Sequence, residues 1–486
     1  MNTTLIIFVV LYLLGTLAVG MWAGRRIKNT ADFAVAGRSL PLIMVITTTF
    51  ATWFGAETVM GVPAKFVQGG LNAVIEDPFG AGTCLILVGL FFATKLYKLN
   101  LLTIGDYYRQ RYGKGVEVFC SVTIILSYLG WVAAQITALG LVFTVLTNGA
   151  MSPAAGMVIG TLAVLIYVVV GGFMAVAITD FIQMIVLVVG MTVIAFFAAD
   201  LAGGADKVLG MAQQADLWRL WPEPTFTDIV FFFAAAITMM FGSIPQQDVF
   251  QRVMSAKNAP TARSGAVIGG ASYILFGFVP MFIVAAAVVV MGDSAMDIAK
   301  NDYQRLLPTF VMTKMPLVMQ ILFFGALLSA IKSTSSATLL APATSFVENI
   351  LKNLRPDMKD RQLLLAMRVT IVVFATLVLA YAIAMQGTSI YELVSSAYQV
   401  TLVGAFVPLV MGLYWKRATT QGAVLSIGAG IAVWVLFFPQ LTSWGTAFPG
   451  QLAGLLAAFA GMFVGSLAPQ VLQDRQDATA RLHAGA

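Results

Sequence analysis

The chain has 486 residues, of which 59% are hydrophobic and 10% charged, against about 25% charged in an ordinary soluble domain. So much apolar surface has to face lipid, which excludes a soluble enzyme. One histidine, His483, and two separated cysteines, Cys84 and Cys120, leave no material for histidine acid–base chemistry, a Ser/His/Asp triad or a thiolate metal site; the excess of 28 Lys and Arg over 22 Asp and Glu is assigned to cytoplasmic loops, not to nucleic acid.

Apolar runs long enough to cross a bilayer number thirteen, at 4–24, 40–68, 71–96, 117–147, 153–174, 176–201, 226–251, 263–292, 317–350, 363–386, 391–415, 420–440 and 448–470. The first has no basic residue before it and ends in Gly24-Arg25-Arg26-Ile27-Lys28, so it reads as a span and not as a cleavable signal peptide. With the N-terminus outside, the inside segments hold Arg25, Arg26, Lys28, Arg38, Lys95, Lys98, Arg109, Arg111, Lys114, Arg252, Lys257, Arg263, Lys352, Arg355, Lys359, Arg361, Arg368, Lys416, Arg417, Arg475 and Arg481. The outside segments hold only Lys65, Lys207, Arg219, Lys300, Arg305 and Lys314. That asymmetry predicts a multi-pass protein of the cell membrane with its N-terminus outside and its C-terminus in the cytoplasm.

The second and seventh spans are interrupted near their middles, at Thr52-Trp53-Phe54-Gly55-Ala56-Glu57-Thr58 and at Met240-Phe241-Gly242-Ser243-Ile244-Pro245-Gln246-Gln247-Asp248. Non-helical backbone survives at membrane depth only inside protein or beside water. The breaks lie five spans apart, so they open two five-helix groups of opposite orientation, an inverted repeat with its sites where the broken helices meet. The predicted organisation is one polytopic domain over 1–486: an extra helix and loop at 1–38, a first repeat at 39–202, a second at 224–416, two further helices at 417–472 and a cytoplasmic tail at 473–486. That tail is too short for a kinase domain.

Leu328-Ser329-Ala330-Ile331-Lys332-Ser333-Thr334-Ser335-Ser336-Ala337-Thr338 places six hydroxyls and an ammonium within eleven residues of the ninth span. Isolated Ser or Thr bonds back to a carbonyl one turn earlier, which covers two or three of them but not the cluster. Hydroxyls and the free carbonyls of an unwound helix can supply the hard oxygens that an alkali cation takes. Ser333 and Thr334 are therefore candidate ligands beside carbonyls near Ala51 and Phe54. Asp180 opens the sixth span as either a boundary residue or part of an ion path. Lys332 needs a carboxylate, water or loss of its charge, and Asp180 is a candidate partner; an ammonium at the ion site would replace a cation or carry a proton. Trp53 and Trp131 lie too deep to be interface anchors and fit either core packing or the wall of a cationic or apolar solute site.

At these residues the sequence resembles the sodium/solute symporter family. The likeness rests on Gly171-Gly172-Phe173-Met174-Ala175-Val176-Ala177-Ile178-Thr179-Asp180 with Gln183, on Gln247-Asp248-Val249-Phe250-Gln251-Arg252, on Ala330-x-x-Ser333-Thr334, and on Gly404-Ala405-Phe406-Val407-Pro408-Leu409 followed by Gly412-Leu413-Tyr414-Trp415-Lys416-Arg417. The resemblance implies an all-α membrane fold of about thirteen helices around a LeuT-like inverted repeat. It places a sodium ion on carbonyls of Ala51, Phe54 and Ala330 and hydroxyls of Ser333 and Thr334. A second ion falls on Asp180, Ser333 and Ser336, with Ala337 where that site has a further hydroxyl.

Within the family, Ala51-Thr52-Trp53, Pro78-Phe79-Gly80, Trp131-Val132-Ala133-Ala134 and Ile244-Pro245-Gln246-Gln247 resemble the high-affinity choline transporter branch, whose aromatic cage positions match Trp53 and Trp131. Gln246 stands where that branch has a third cage Trp, and Ala81 where it has a Tyr. The candidate solute contacts are Trp53, Glu57, Thr58, Phe79, Trp131 and Gln246, and Lys332 is a candidate coupling residue. The expected activity is import of a small organic solute, an amine or quaternary ammonium compound or another polar solute, by alternating access with Na+ as coupling ion and no other cofactor. The alternatives are proton coupling through Lys332, a membrane sensor with a separate signalling partner, and a channel; no catalytic constellation suggests an enzyme.

Overall fold

The computed structural model describes residues 3–472 except 26, 28, 439 and 440. The tail expected at 473–486 with Arg475, Arg481 and His483, and the loop cations Arg26 and Lys28, lie outside the described residues. The described residues are helical, joined by loops and one isolated bridge between Leu40 and Ala256.

Long apolar helices run in the order α1 (Thr3–Gly24), α2 in two halves (Leu42–Trp53 and Glu57–Ala73), α3 (Ile75–Lys98), α4 (Lys114–Leu146) and the continuous stretch Pro153–Leu201. Then follow α7 in two halves (Phe226–Gly242 and Gln247–Ser255), α8 (Ala259–Met291), α9 (Leu317–Leu354), α10 (Asp360–Ala384), α11 (Ile390–Tyr414), α12 (Thr420–Leu436) and α13 (Gly450–Leu467). A 49-residue helix would be about 74 Å long, more than twice the hydrocarbon thickness. Gly172 divides it, with φ 50° and ψ −162°, a conformation that L side chains avoid. Residues 153–171 are therefore α5 and 173–201 are α6, which puts the sequence boundary near 175 three residues late.

The two bends fall where the polar interruptions predict them, at 56° in α2 and 47° in α7. Backbone groups freed there need partners, because lipid offers none. The Ala56 N–H donates to Gln135 Oε1 (3.0 Å), and the Trp53 carbonyl lies 3.3 Å from the Thr58 hydroxyl oxygen. In α7 the Gly242 carbonyl accepts from Thr401 Oγ1 (2.6 Å). The first turn after the α2 break, Glu57–Gly61, is π-helical, a widened geometry common where helices carry function.

The second half of α7 is a polar hub, its residues buried throughout. Gln247 Oε1 accepts from the Ile104 N–H of the short helix Ile104–Tyr112, and Gln251 Nε2 donates to the Ala34 carbonyl. Arg252 donates from Nε to the Thr48 carbonyl (3.3 Å) and Thr52 Oγ1 (3.1 Å), and from Nη1 to the Asp248 carbonyl (2.6 Å). This corrects its reading as a loop cation, since it is 2% exposed. Arg111, also counted among the loop cations, is buried against the carbonyls of Gly412 and Ala418.

Candidate solute and cation sites

Where the broken α2 meets α4 and α11, four aromatic rings converge. Trp53 stands edge-on to Trp131 (5.7 Å between centroids) and stacks on Tyr398 (5.9 Å); Trp131 lies 5.3 Å from Tyr398 and stacks on Tyr128 (6.0 Å). Each such contact is worth about 0.5–1.5 kcal/mol beyond burial. The helical repeat explains the α4 contribution: Tyr128, Trp131 and Gln135 follow one another at three and four residues and share a face.

The indole N–H groups are both taken by carboxylates. Trp131 Nε1 donates to Glu57 Oε1 (2.8 Å), and Gln135 Nε2 donates to Glu57 Oε2 (2.6 Å). Trp53 Nε1 donates to Asp248 Oδ2 (3.2 Å), while Tyr128 donates to Asp248 Oδ1 (2.5 Å) and accepts from the Asp248 N–H (2.9 Å). Hydrogen bonds to charged groups are the strong ones, about 1.5–3 kcal/mol each. Thr58 shares a 2.6 Å bond with Tyr273, whose hydroxyl donates to Asp77 Oδ1 (2.5 Å). Gln246 Nε2 reaches Ser127 Oγ (2.8 Å). Phe79 packs instead on Phe278 of α8, away from the four-ring cluster.

Around the two breaks, Glu57, Glu76, Asp77, Asp180 and Asp248 are buried against two buried cations among the described residues, Arg252 and Lys332. Enclosed carboxyl groups in such excess favour a cationic occupant. The cluster is closed from both ends of the bundle, Trp53 and Trp131 being 2% and 1% exposed. A cavity of about 510 Å³ lies at one end, bordered by Gly61, Lys65, Thr137, Tyr391 and Glu392. Another of about 560 Å³, bordered by Leu101, Asp106, Arg109, Glu348 and Lys352, opens at the end carrying most of the basic loops.

The consecutive residues Lys332, Ser333 and Thr334 fan around α9. Ser333 Oγ donates to Asp180 Oδ1 (2.5 Å), whose Oδ2 accepts from Thr48 Oγ1 (2.6 Å). Thr334 Oγ1 is fully buried without a hydrogen-bond partner and faces the α2 break at Gly55. Ala51, Phe54 and Ala330 are buried, and Ser336 donates to the Lys332 carbonyl (2.6 Å). An orphaned hydroxyl beside unwound backbone suits an alkali ion, whose ligands are hard oxygens.

Lys332 points elsewhere. Its Nζ hydrogen-bonds Thr16 of α1 and lies 4.4 Å from the centroid of the Tyr167 ring. The pairing with Asp180 weighed from the sequence is not made, because the helix turns Lys332 toward α1 and α5 while Ser333 takes the carboxylate. Lys332→Met is accordingly expected to leave the sodium half-saturation of uptake within about twofold of wild type, under about 0.5 kcal/mol; sodium titrations at several pH values check this.

Tyr128, Gln135, Tyr273 and Tyr398 were not singled out in the sequence. The shared α4 face would have found Tyr128 and Gln135; Tyr398 stands out only as a polar aromatic inside α11.

Two bent helices flanking a closed, polar midplane define a secondary transporter. Residues 33–430 match the sodium:solute symporter family profile, and the chain belongs to that family. It is similar to high-affinity choline transporter 1 of Caenorhabditis elegans, 25% identical over 96% of this chain and 85% of that one. The Homo sapiens high affinity choline transporter 1 is 28% identical over 88% and 75% of the two chains. Among solved structures, a Na+-coupled sialic acid symporter in a substrate-bound outward-open state superimposes with a TM-score of 0.81 at 22% identity, over 96% of this chain and 99% of that one. The fold is thus the LeuT-like inverted repeat, and the protein is a multi-pass sodium-coupled symporter of a small solute working by alternating access. In that cycle the ion has to bind one conformation better than the other, because only differential affinity shifts a conformational equilibrium.

Proposed function

We propose that the solute is a small organic cation of the amine or quaternary ammonium class, imported across the cell membrane with the basic end of the bundle in the cytoplasm and the N-terminus outside. The observation that carries this reading is the four-ring cluster whose two indoles are bound to the carboxyl groups of Glu57 and Asp248. Ring faces and carboxylates both attract a cation, and desolvated cation–π contact is worth about 2 kcal/mol. An anionic sugar acid would face the same carboxyl groups as repulsion. The likeness to choline transporters agrees with the amine class.

In this reading Trp53, Trp131 and Tyr398 wall the solute, and Glu57, Thr58, Gln246 and Asp248 supply its polar contacts. Sodium takes the carbonyls of Ala51, Phe54 and Ala330 with Ser333 and Thr334, and Asp180 with Ser336 forms the second ion position. The two repeats, 39–202 and 224–416, hold these groups between them. Sodium at the α2–α9 junction joins a helix of each repeat, so its release toward the cytoplasm frees the solute-bearing break to move.

A thermal-shift screen of the purified protein against amines, amino acids, carboxylates and sugars, each with and without sodium, tests the class. Amines are expected to raise the melting temperature only with sodium present, and Asp248→Asn to weaken that binding about tenfold or more, in line with the loss of one charged contact. Stabilisation by a sugar acid and by no amine would refute the reading.

A further inference from the structure

A methyl group built on Gly55 would stand 2.5 Å from Glu57 Oε2, 2.6 Å from Thr334 Oγ1 and 3.0 Å from Gln135 Oε1. Oxygens from three helices, α2, α9 and α4, therefore converge on the one face of the α2 break that carries no side chain. Thr334 Oγ1 is aimed into this convergence, is fully buried and has no hydrogen-bond partner. Buried hydroxyls are nearly always satisfied, so one left open at a polar focus calls for an occupant.

The other two oxygens have capacity left. Glu57 Oε2 accepts one bond, from Gln135 Nε2, and Gln135 Oε1 accepts one, from the Ala56 N–H; each carries a second lone pair. No lysine or arginine among the described residues lies within ion-pair distance of Glu57. One carboxylate, one amide carbonyl and one hydroxyl make a hard-oxygen set of the kind that alkali and alkaline-earth ions take. A methyl carbon there would overlap two of these oxygens, so the space over Gly55 has no room for an ammonium group with its carbon stem.

We propose that Glu57 Oε2, Gln135 Oε1 and Thr334 Oγ1 form a further sodium site over Gly55, separate both from the set built on Ala51, Phe54, Ala330 and Ser333 and from the position at Asp180 and Ser336, with Thr334 standing between it and the first. The site shares a carboxyl group with the aromatic cluster, since Glu57 Oε1 holds the Trp131 indole. An ion on Oε2 fixes the carboxyl plane and with it the Trp131 wall, so ion and solute favour each other's binding, a coupling that is reciprocal by necessity. This coupling step rests on the amine-cage reading; the ion count does not.

Radioactive sodium binding to the purified full-length protein, without solute, tests it. Gly55 is not in a left-handed conformation, so Gly55→Ala fills the gap while removing no ligand. It and Glu57→Gln are each expected to bind about one ion fewer per chain than wild type. Ser333→Ala is expected to lose a different ion, so that Ser333→Ala with Glu57→Gln loses about two, as independent sites add. Gln135→Leu, expected to behave like Glu57→Gln, replaces it where that variant is not monodisperse. A wild-type sodium count in Gly55→Ala and Glu57→Gln, or the same single ion lost in Glu57→Gln and Ser333→Ala, overturns the site over Gly55. Failure of the amine reading leaves these counts untouched and shows instead in the solute screen.

Discussion

Ser333→Ala combined with Thr334→Ala is expected to abolish sodium-stimulated uptake while the protein still reaches the membrane and purifies as a single species. Two ion-facing hydroxyls at about 1.5 kcal/mol each amount to a hundredfold or more in sodium affinity. The single variants separate ion binding from structure. Ser333 Oγ is engaged with Asp180, so Ser333→Ala takes one hydroxyl donor from the carboxyl group and leaves it that of Thr48. Thr334 Oγ1 has no partner to lose. Thr334→Ala should therefore leave the melting temperature in sodium-free buffer unchanged and reduce its rise with sodium, because a ligand stabilises only what it binds. Melting curves across a sodium series, beside uptake into proteoliposomes, check both. A double variant whose sodium half-saturation stays within about threefold of wild type, under about 0.7 kcal/mol, would remove Ser333 and Thr334 from the ion site.

The contrast between these neighbours shows what the sequence made legible. The spans, both breaks and the polar character of α9 were readable, because lipid imposes a composition on each helix and any departure from it stands out. Direction was not. Consecutive helical residues differ by about 100° in azimuth, and α9 has buried polar residues on every side of its middle turns: Ser329 bonds Tyr12 of α1, Lys332 reaches Thr16, Ser333 takes Asp180 and Thr334 faces Gly55. With no apolar stripe to orient the helix, nothing in the sequence says which of Lys332 and Ser333 meets Asp180. Gln135 was missed for a related reason. Its role depends on the backbone freed by the α2 break, since its amide oxygen caps the Ala56 N–H, and that pairing between distant segments exists only once α4 is packed against the break. The division at Gly172 is a further case: the sequence put Gly171 and Gly172 inside the span 153–174 with its boundary near 175, and the positive φ of Gly172 that moves the boundary three residues earlier exists only in the folded chain.

Arg252→Ala is expected to be the most damaging single change outside the ion and solute contacts, reducing uptake below about 1% of wild type, a loss of about 2.7 kcal/mol or more. The guanidinium joins the two broken helices on the side of the bundle bearing the basic loops. It bonds the Thr48 carbonyl and the Thr52 hydroxyl in the first half of α2, bonds the Asp248 carbonyl in the second half of α7, and lies 5.4 Å from the Phe173 ring of α6. Its charge also faces Asp248 and Asp180, one beside the aromatic cluster and the other at the hydroxyls of α9. Removing it leaves two buried carboxyl groups without their cation, a change that costs about 3–5 kcal/mol in buried pairs. Arg252→Lys should restore little, because a single ammonium cannot span acceptors that a planar fork reaches on two helices. The variant Arg252→Met with Asp248→Asn reads the charge balance by itself: it should recover most of the melting temperature lost in Arg252→Ala, since one buried carboxyl group leaves together with its cation. A cysteine placed at Ser255 in a background with Cys84 and Cys120 replaced should then be labelled faster in Arg252→Ala than in the parent, because the inner halves separate more readily once the bridge is gone. Normal uptake and unchanged labelling in Arg252→Ala would show that the helices are held closed by packing alone.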